Sequence, residues 1–325
     1  MGRTRCRPTS RWSSRQLITA TVEICLATYN GEKYLANFYT SIAAQSHVDW
    51  RLLVRDDGSS DSTWGIVEKL AIEDSRVVPI VDRFGNLGVS GNFSALLGRC
   101  TGTYVMLADQ DDIWYADKIQ DSLQEIRALQ ARSPDQERPL LVFTDVHVVD
   151  AELNVVSESF IRMQGLESLR CPSFVQLLTQ NVAPGCTMIM NRSLVDAALP
   201  IPAEAAMHDW WLMLVAAAIG EISFVPSATM AYRQHGTNLV GAKSPGLLGA
   251  AARIATYRTR LQQAQLQAGK LVNRYADRMR TGDVAAASAL EALSRLPIGL
   301  RQIEARRRGL RKAGVLRNIA FFLLM

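Results

Sequence analysis

Histidine and cysteine are scarce in this 325-residue chain, at four and five residues. The cysteines (Cys6, Cys25, Cys100, Cys171 and Cys186) are odd in number, scattered, and form no Cys-x-x-Cys pair. That excludes a disulfide framework and a zinc ribbon, and leaves reduced thiols acting as inert packing residues. No uninterrupted apolar run reaches the ~20 residues that a membrane-spanning helix needs. The basic start is not followed by the apolar stretch of a signal peptide, so export is not expected. Internal repeats and low-complexity tracts are also missing. These absences describe a cytoplasmic protein, at most peripheral at the inner face of a membrane.

What is present is ordinary in amount and uneven in distribution. Hydrophobic residues make up 48% and charged residues 21%, which is enough apolar material for a sizeable core. The net charge of +5 is concentrated at the ends. Met1 to Arg15 carries five arginines and no acid, and Arg301 to Arg317 carries six arginines and a lysine against one glutamate. Basic ends on a neutral body suit an anionic membrane surface or nucleic acid. The C-terminal stretch runs on into Ile319-Ala320-Phe321-Phe322-Leu323-Leu324-Met325. A basic helix with an apolar end is compatible with an inner-membrane surface, or with a packing or homo-oligomer contact whose arginines are solvated.

The chain is organised around Ala108-Asp109-Gln110-Asp111-Asp112-Ile113-Trp114, which follows the buried-strand run Tyr104 to Leu107. Three carboxylates within four residues repel one another and are costly to desolvate without a cation. A divalent metal bridging to phosphate resolves that conflict, and a solvated acidic turn is the alternative. Upstream, strands alternate with helical patterns: Val22 to Thr28, Lys33 to Ala44, Trp50 to Val54, Ser62 to Glu73 with Asp61 as N-cap, Val77 to Val81, and a helix ending near Leu97. This alternation predicts an α/β protein with a parallel, doubly wound sheet. Ligands bind such sheets outside the carboxyl ends of the strands. Thr28-Tyr29-Asn30, Asp56-Asp57, Asn86 and Asp109-Gln110-Asp111 all fall there. Further on, Leu140 to Val149 and Thr187 to Met190 read as strands. His208-Asp209-Trp210-Trp211 opens an apolar helix to Ile219, and Ile222 to Tyr232 leads to Arg233-Gln234-His235. The texture changes beyond Gly241. The expected division is a disordered basic segment over 1–20, one domain over 21–241, and a helical C-terminal region over 242–325.

Six stretches, in this order, carry a resemblance. They are Leu26 to Gly31, Arg55 to Asp61, Gly85 to Phe93, Ala108 to Trp114, His208 to Trp211 and Tyr232 to Asn238. Over about residues 22 to 240 the chain resembles the inverting glycosyltransferases of family 2, and within them the bacterial rhamnosyltransferase-like branch. The resemblance implies a GT-A fold (a Rossmann-like, nucleotide-binding, mostly parallel sheet flanked by helices) with a C-terminal helical extension. It implies a nucleotide-sugar donor held by Thr28, Asn30, Asp56, Asp57, Asn86, Asp109 and Arg233. Mg²⁺ or Mn²⁺ would be held by Asp111, with His235 beside it, and Asp209 would be the catalytic base. Where many relatives have Glu-Asp, this chain has His-Asp-Trp-Trp, so Asp209 is assigned by position. Asn181, Gly185, Trp210 and Trp211 would border a saccharide or lipid-linked saccharide acceptor.

Each of these residues also has a plainer reading. Asp56 to Ser59, like Asn86 and Gly88, suit a turn, and Asp209 suits a helix dipole. Trp210 and Trp211 fit a core as well as a stacking surface, and His235 fits a loop hydrogen bond. For function, the leading expectation is metal-assisted transfer of L-rhamnose from dTDP-rhamnose in bacterial surface polysaccharide synthesis. A UDP-hexose donor would keep the mechanism, and a non-catalytic nucleotide- or saccharide-binding protein is the alternative of another class. No nucleic-acid reader motif accompanies the basic ends, and the proposed site is acidic, so no nucleic-acid partner is expected.

Overall fold

The computed structural model describes residues 22–234 and 247–325, with side chains over 22–234 and 256–325. The basic segment 1–20, the expected boundary at 242 and His235 lie outside the described residues. The first half forms β1 (Val22–Thr28), α1 (Leu35–Ala43), β2 (Trp50–Asp56), α2 (Thr63–Glu73), β3 (Val77–Pro79), α3 (Gly88–Leu97) and β4 (Tyr104–Asp109). After the short β5 (Ile113–Trp114) come α4 (Lys118–Arg132), β6 (Leu140–Val149), β7 (Val155–Ser157), α5 (Phe160–Met163) and α6 (Phe174–Leu177). The chain then runs through β8 (Met188–Asn191), α7 (Arg192–Ala198), α8 (His208–Ile219) and β9 (Glu221–Arg233). Helices α9 (Leu247–Tyr275), α10 (Thr281–Ala292), α11 (Ile298–Arg307) and α12 (Val315–Leu324) follow.

The strands join one sheet in the order β3-β2-β1-β4-β8-β6-β9-β5, with β7 on β6. As expected, β1, β2, β3 and β4 pair in parallel. Beyond β4 the sheet is mixed. Strand β8 runs antiparallel to both β4 and β6, β6 and β9 are parallel, and β5 is antiparallel to β9. The doubly wound parallel pattern therefore stops at β4, because β8 enters that edge from the opposite direction.

Side chains alternate across the sheet with the period of two that strands impose. Val105 and Leu107 of β4 face one core, while Tyr104, Met106 and Ala108 face the other. Helices α1, α2 and α4 cover the second face through Leu35, Phe38, Ile42, Val67, Ile119, Leu123 and Ile126. Glu23, buried in β1, is tolerated because its carboxylate accepts from the Thr101 and Gly102 N–H groups at 2.6 and 2.8 Å and from Arg51 at 3.2 Å. Asp61 stands one residue outside the α2 cap position, yet its Oδ1 accepts from Thr63 N at 3.0 Å and satisfies an early helix donor.

Helix α8 is apolar on every side and buried on every side. The sheet, α3, α6 and α7 enclose it, and α9 closes over it. Each fully buried leucine or methionine on it contributes roughly 1.5–3 kcal/mol. Ala268, Leu271, Leu290, Leu293, Ala305, Leu310 and Phe321 of the C-terminal helices belong to the same core as Trp211 and Leu214.

Candidate active site

The four polar clusters at the strand ends are hydrogen-bonded into one surface. Gln110 joins β4 to β1, accepting from Tyr29 N at 3.1 Å and donating to Tyr29 O at 2.9 Å. A Cβ at Gly31 would run into the Gln110 amide, so that position needs glycine for the approach. Asn30, in the left-handed region at φ 47°, accepts from Ser60 N at 2.9 Å, while its own N–H donates to Ser59 Oγ at 2.8 Å. Asn86 donates to Asp57 O at 2.9 Å.

The two aspartates at the end of β2 are committed to the protein itself. Asp56 accepts from Thr28 Oγ1 at 2.9 Å and from Ser59 N at 2.7 Å, which folds the Asp-Asp-Gly-Ser turn. Asp57 is buried and accepts from Leu87 N at 2.7 Å, Gly88 N at 2.8 Å and Arg55 Nη1 at 2.9 Å. These bonds fix the wall in front of α3.

Arg55 was not singled out by the sequence reading, although it is the hub of that wall. All five of its N–H groups are used. Nε and Nη2 donate to the Asp82 carboxylate at 2.8 and 3.1 Å, Nη1 to Asp57 and to Asn92 Oδ1 at 3.1 Å, and Nη2 also to Gly85 O at 2.9 Å. Asp82 raises the guanidinium's affinity for its proton, and in return Arg55 holds the Asp82 carboxyl below its usual range. The signal available in sequence was an arginine closing a strand, directly before two aspartates.

At the end of β4 the acidic residues gather. Ligand atoms of Asp109, Asp112 and Cys186 lie within 4.8 Å of one another. Burial, then the charge of Asp111, pushes the Asp109 carboxyl up to about 7. Asp112 is raised for the same reasons, burial first. Its Oδ1 accepts from Arg233 N at 3.1 Å, while Oδ2 is buried with no partner among the described residues. Nearby, Lys118 is buried over the Trp114 ring and bonded to Thr229 Oγ1 at 3.2 Å, and burial lowers its ammonium to about 8. A hard divalent cation fits this corner by the chemistry of its donors: crowded carboxylates, with one buried oxygen that has no partner among the described residues. Asp111 is outside the closest group, but its charge bears on both Asp109 and Asp112. Cys186, expected to be inert packing, is therefore part of the acidic corner. Arg233 is buried and braces the turn, donating from Nε to Asp111 O at 2.9 Å.

The start of α8 brings Asp209 within electrostatic reach of Asp109. The Asp209 carboxylate accepts from Trp210 N at 2.6 Å and is held further by the Asn181 side chain and the Gly185 backbone. Burial pushes it up to about 6, and those hydrogen bonds pull it back. Its charge reaches Asp109. A Cβ on Gly185 would stand 3.4 Å from Asp209 Cβ and 3.0 Å from His208 Nε2, so glycine keeps this approach close. Trp210 and Trp211 are core residues. Both are buried, and their indole N–H groups donate to Leu177 O at 2.7 Å and Ala198 O at 3.0 Å, so neither offers a face on which a sugar could stack.

The chain is similar to known proteins in sequence and in fold. Residues 23–140 match the family model described as Glycosyl transferase family 2. The dTDP-rhamnosyl transferase RfbG of Shigella flexneri is 27% identical over 231 residues, covering 67% of this chain and 74% of that one. The UDP-Glc:alpha-D-GlcNAc-diphosphoundecaprenol beta-1,3-glucosyltransferase WfgD of Escherichia coli is 33% identical over 99 residues, 30% of this chain and 38% of that one. Among solved structures, the mannosyltransferase PcManGT of Pyrobaculum calidifontis, in complex with GDP-Man and Mn²⁺, shares the fold with a TM-score of 0.53 at 15% identity. That match covers 93% of this chain and 82% of that one. Residues 23–140 thus match the family 2 glycosyltransferase model, and the chain is built on the GT-A fold.

Proposed function

We propose that the protein is an inverting glycosyltransferase that moves L-rhamnose from dTDP-rhamnose to a saccharide or lipid-linked saccharide acceptor in bacterial surface polysaccharide assembly. The observation that carries this reading is the meeting of two acidic groups from distant parts of the chain, the Asp109–Asp111 corner after β4 and Asp209 at the start of α8. A donor side and an acceptor side are what a single displacement requires. The likeness to RfbG supports rhamnose as the sugar. The likeness to WfgD favours a second reading, a UDP-hexose donor with an unchanged mechanism.

In this reading Thr28, Asn30, Asp56, Asp57 and Asn86 frame the nucleoside, with Arg55 fixing the wall. Asp109 would face the ribose or sugar, and Asp111 would hold Mg²⁺ or Mn²⁺, which would neutralise the leaving diphosphate as a Lewis acid. Asp112 and Arg233 hold the Asp-x-Asp turn in position from beneath. Asn181 and Gly185 border the acceptor and orient Asp209. Asp209 takes the proton of the acceptor hydroxyl as that oxygen bonds to the anomeric carbon, and the carbon–phosphate oxygen bond breaks on the opposite side. Configuration inverts, so a β-linked donor gives an α-rhamnoside.

Asp209 must be ionised to act as the base. Its carboxyl is raised to about 6, so kcat/KM should be level at neutral pH and fall as pH drops through that value. A pH–rate profile checks this, and a flat profile across the acid side would remove Asp209 as the titrating base.

Donor identity is tested by thermal unfolding with a panel of nucleotide-sugars, each with and without Mg²⁺ or Mn²⁺. A ligand at about a hundred times its Kd stabilises the fold by roughly 2.7 kcal/mol. Metal-dependent stabilisation by dTDP-rhamnose alone is the expected result. Preference for a UDP-sugar replaces the donor, and silence across the panel removes the enzymatic reading.

A further inference from the structure

Helix α12 has two apolar faces, and among the described residues only one packs against the fold. Phe321 and Met325 point into the main core. Leu316, Ile319 and Leu323, spaced i, i+3 and i+7 on another face, are 83%, 50% and 73% exposed. A helix packed on a soluble protein normally turns one apolar stripe inward and a polar face outward. Beside it, α11 exposes Ile303 at 60%. The two helices are held together by a bond from Gln302 Nε2 to Phe322 O at 2.9 Å and by the Arg306 guanidinium 4.9 Å over the Phe322 ring. Between them runs a cleft of about 410 Å³, bordered by Arg306, Ile319 and Leu323.

The charge around this face has one sign. Residues 301–317 carry six arginines and a lysine against Glu304, and Arg308 at 2.7 Å already occupies that glutamate. An exposed apolar patch rimmed by arginine matches the headgroup region of an anionic bilayer, where phosphates meet acyl chains. Among the described residues no helix is long and apolar enough to cross a membrane, so the fit is to the surface. The turn between α11 and α12 is braced on the acceptor side of the site. Arg311 O accepts from Thr179 Oγ1 at 2.7 Å, and Ala313 N donates to Gln180 Oε1 at 2.8 Å. The next residue is Asn181, whose side chain holds Asp209.

We propose that the outer face of α11 and α12 docks on an anionic lipid bilayer, with Ile303, Leu316, Ile319 and Leu323 entering the headgroup–acyl boundary and Arg306 meeting lipid phosphate. This deepens the reading above by naming where a lipid-linked acceptor would be met, and it rests on that reading only for the acceptor.

The test is co-sedimentation of the full chain with phosphatidylcholine vesicles, with and without phosphatidylglycerol, at low and high salt. Binding to the anionic vesicles at low salt, weakened by high salt and lost on neutral vesicles, is the expected result. The double variant Leu316→Asp/Leu323→Asp changes only exposed positions and should lower vesicle affinity by roughly tenfold or more. Arg306→Glu should lower it roughly fivefold or more at low salt. Both variants should keep the wild-type nucleotide-induced thermal shift, so a failure here is separable from a failure of the donor reading. Wild-type protein that stays in the supernatant with anionic vesicles at low salt overturns the proposal. So does equal binding by the aspartate variant, and so does a wild-type dimer that dissociates in that variant without any vesicle binding.

Discussion

Substituting Asp209 by asparagine should lower turnover by about 10²- to 10⁴-fold and leave donor binding nearly unchanged. The amide oxygen of asparagine can still accept from Trp210 N, so the start of α8 keeps its local bond. What is lost is the basicity that draws the proton from the acceptor hydroxyl. Asp209 is assigned to the acceptor hydroxyl and not to the nucleotide-sugar, so binding and chemistry should separate in this variant. Single-turnover transfer measures the chemistry, and the nucleotide-induced thermal shift measures the binding. The acid limb of the pH profile should vanish from any residual activity. Full transfer by purified Asp209→Asn protein would end the assignment of the base.

Replacing Arg55 with leucine should destabilise the fold by about 3–5 kcal/mol, because breaking a buried ion pair strands its partners. Asp57 and Asp82 would remain as buried carboxylates, with side chains only 6% and 9% exposed. The Gly85 carbonyl and Asn92 would each lose a donor as well. Urea unfolding reads the stability change directly. Because the loop from Gly85 to Gly88 depends on Asp57, nucleotide affinity should fall together with stability. Adding Asp82→Leu should recover part of the loss, since it removes one of the stranded charges. A change below about 1 kcal/mol would mean that water reaches these carboxylates and that the network is ornamental.

The first half of this fold is legible in the sequence because its rules are local. Strand runs, helix spacing and turn residues mark β1 to β4 within a few positions, and the polar clusters fall at the strand ends. The helix from His208 to Ile219 is read at the same bounds that the structure gives. The second half depends on pairings between segments far apart in the chain. The pairing of β8 with both β4 and β6 joins segments separated by more than 40 residues, and no local pattern encodes it. The same limit hides Arg55, which finds Asp82 and Asn92 from the far side of α2. Trp210 and Trp211 illustrate a different limit. An indole has the same apolar body in a core as at a sugar site, so only the surroundings separate the two.

The C-terminal helices share their core with α8, so among the described residues the body that carries Asp209 and the outer face of α12 are packed as one. If that face rests on a bilayer, Asp209 stands at a constant height above the lipid. The protein then acts as a ruler as well as a catalyst. It would glycosylate the hydroxyl that a lipid-borne glycan lifts to that height, and pass over shorter or longer ones bearing the same terminal sugar.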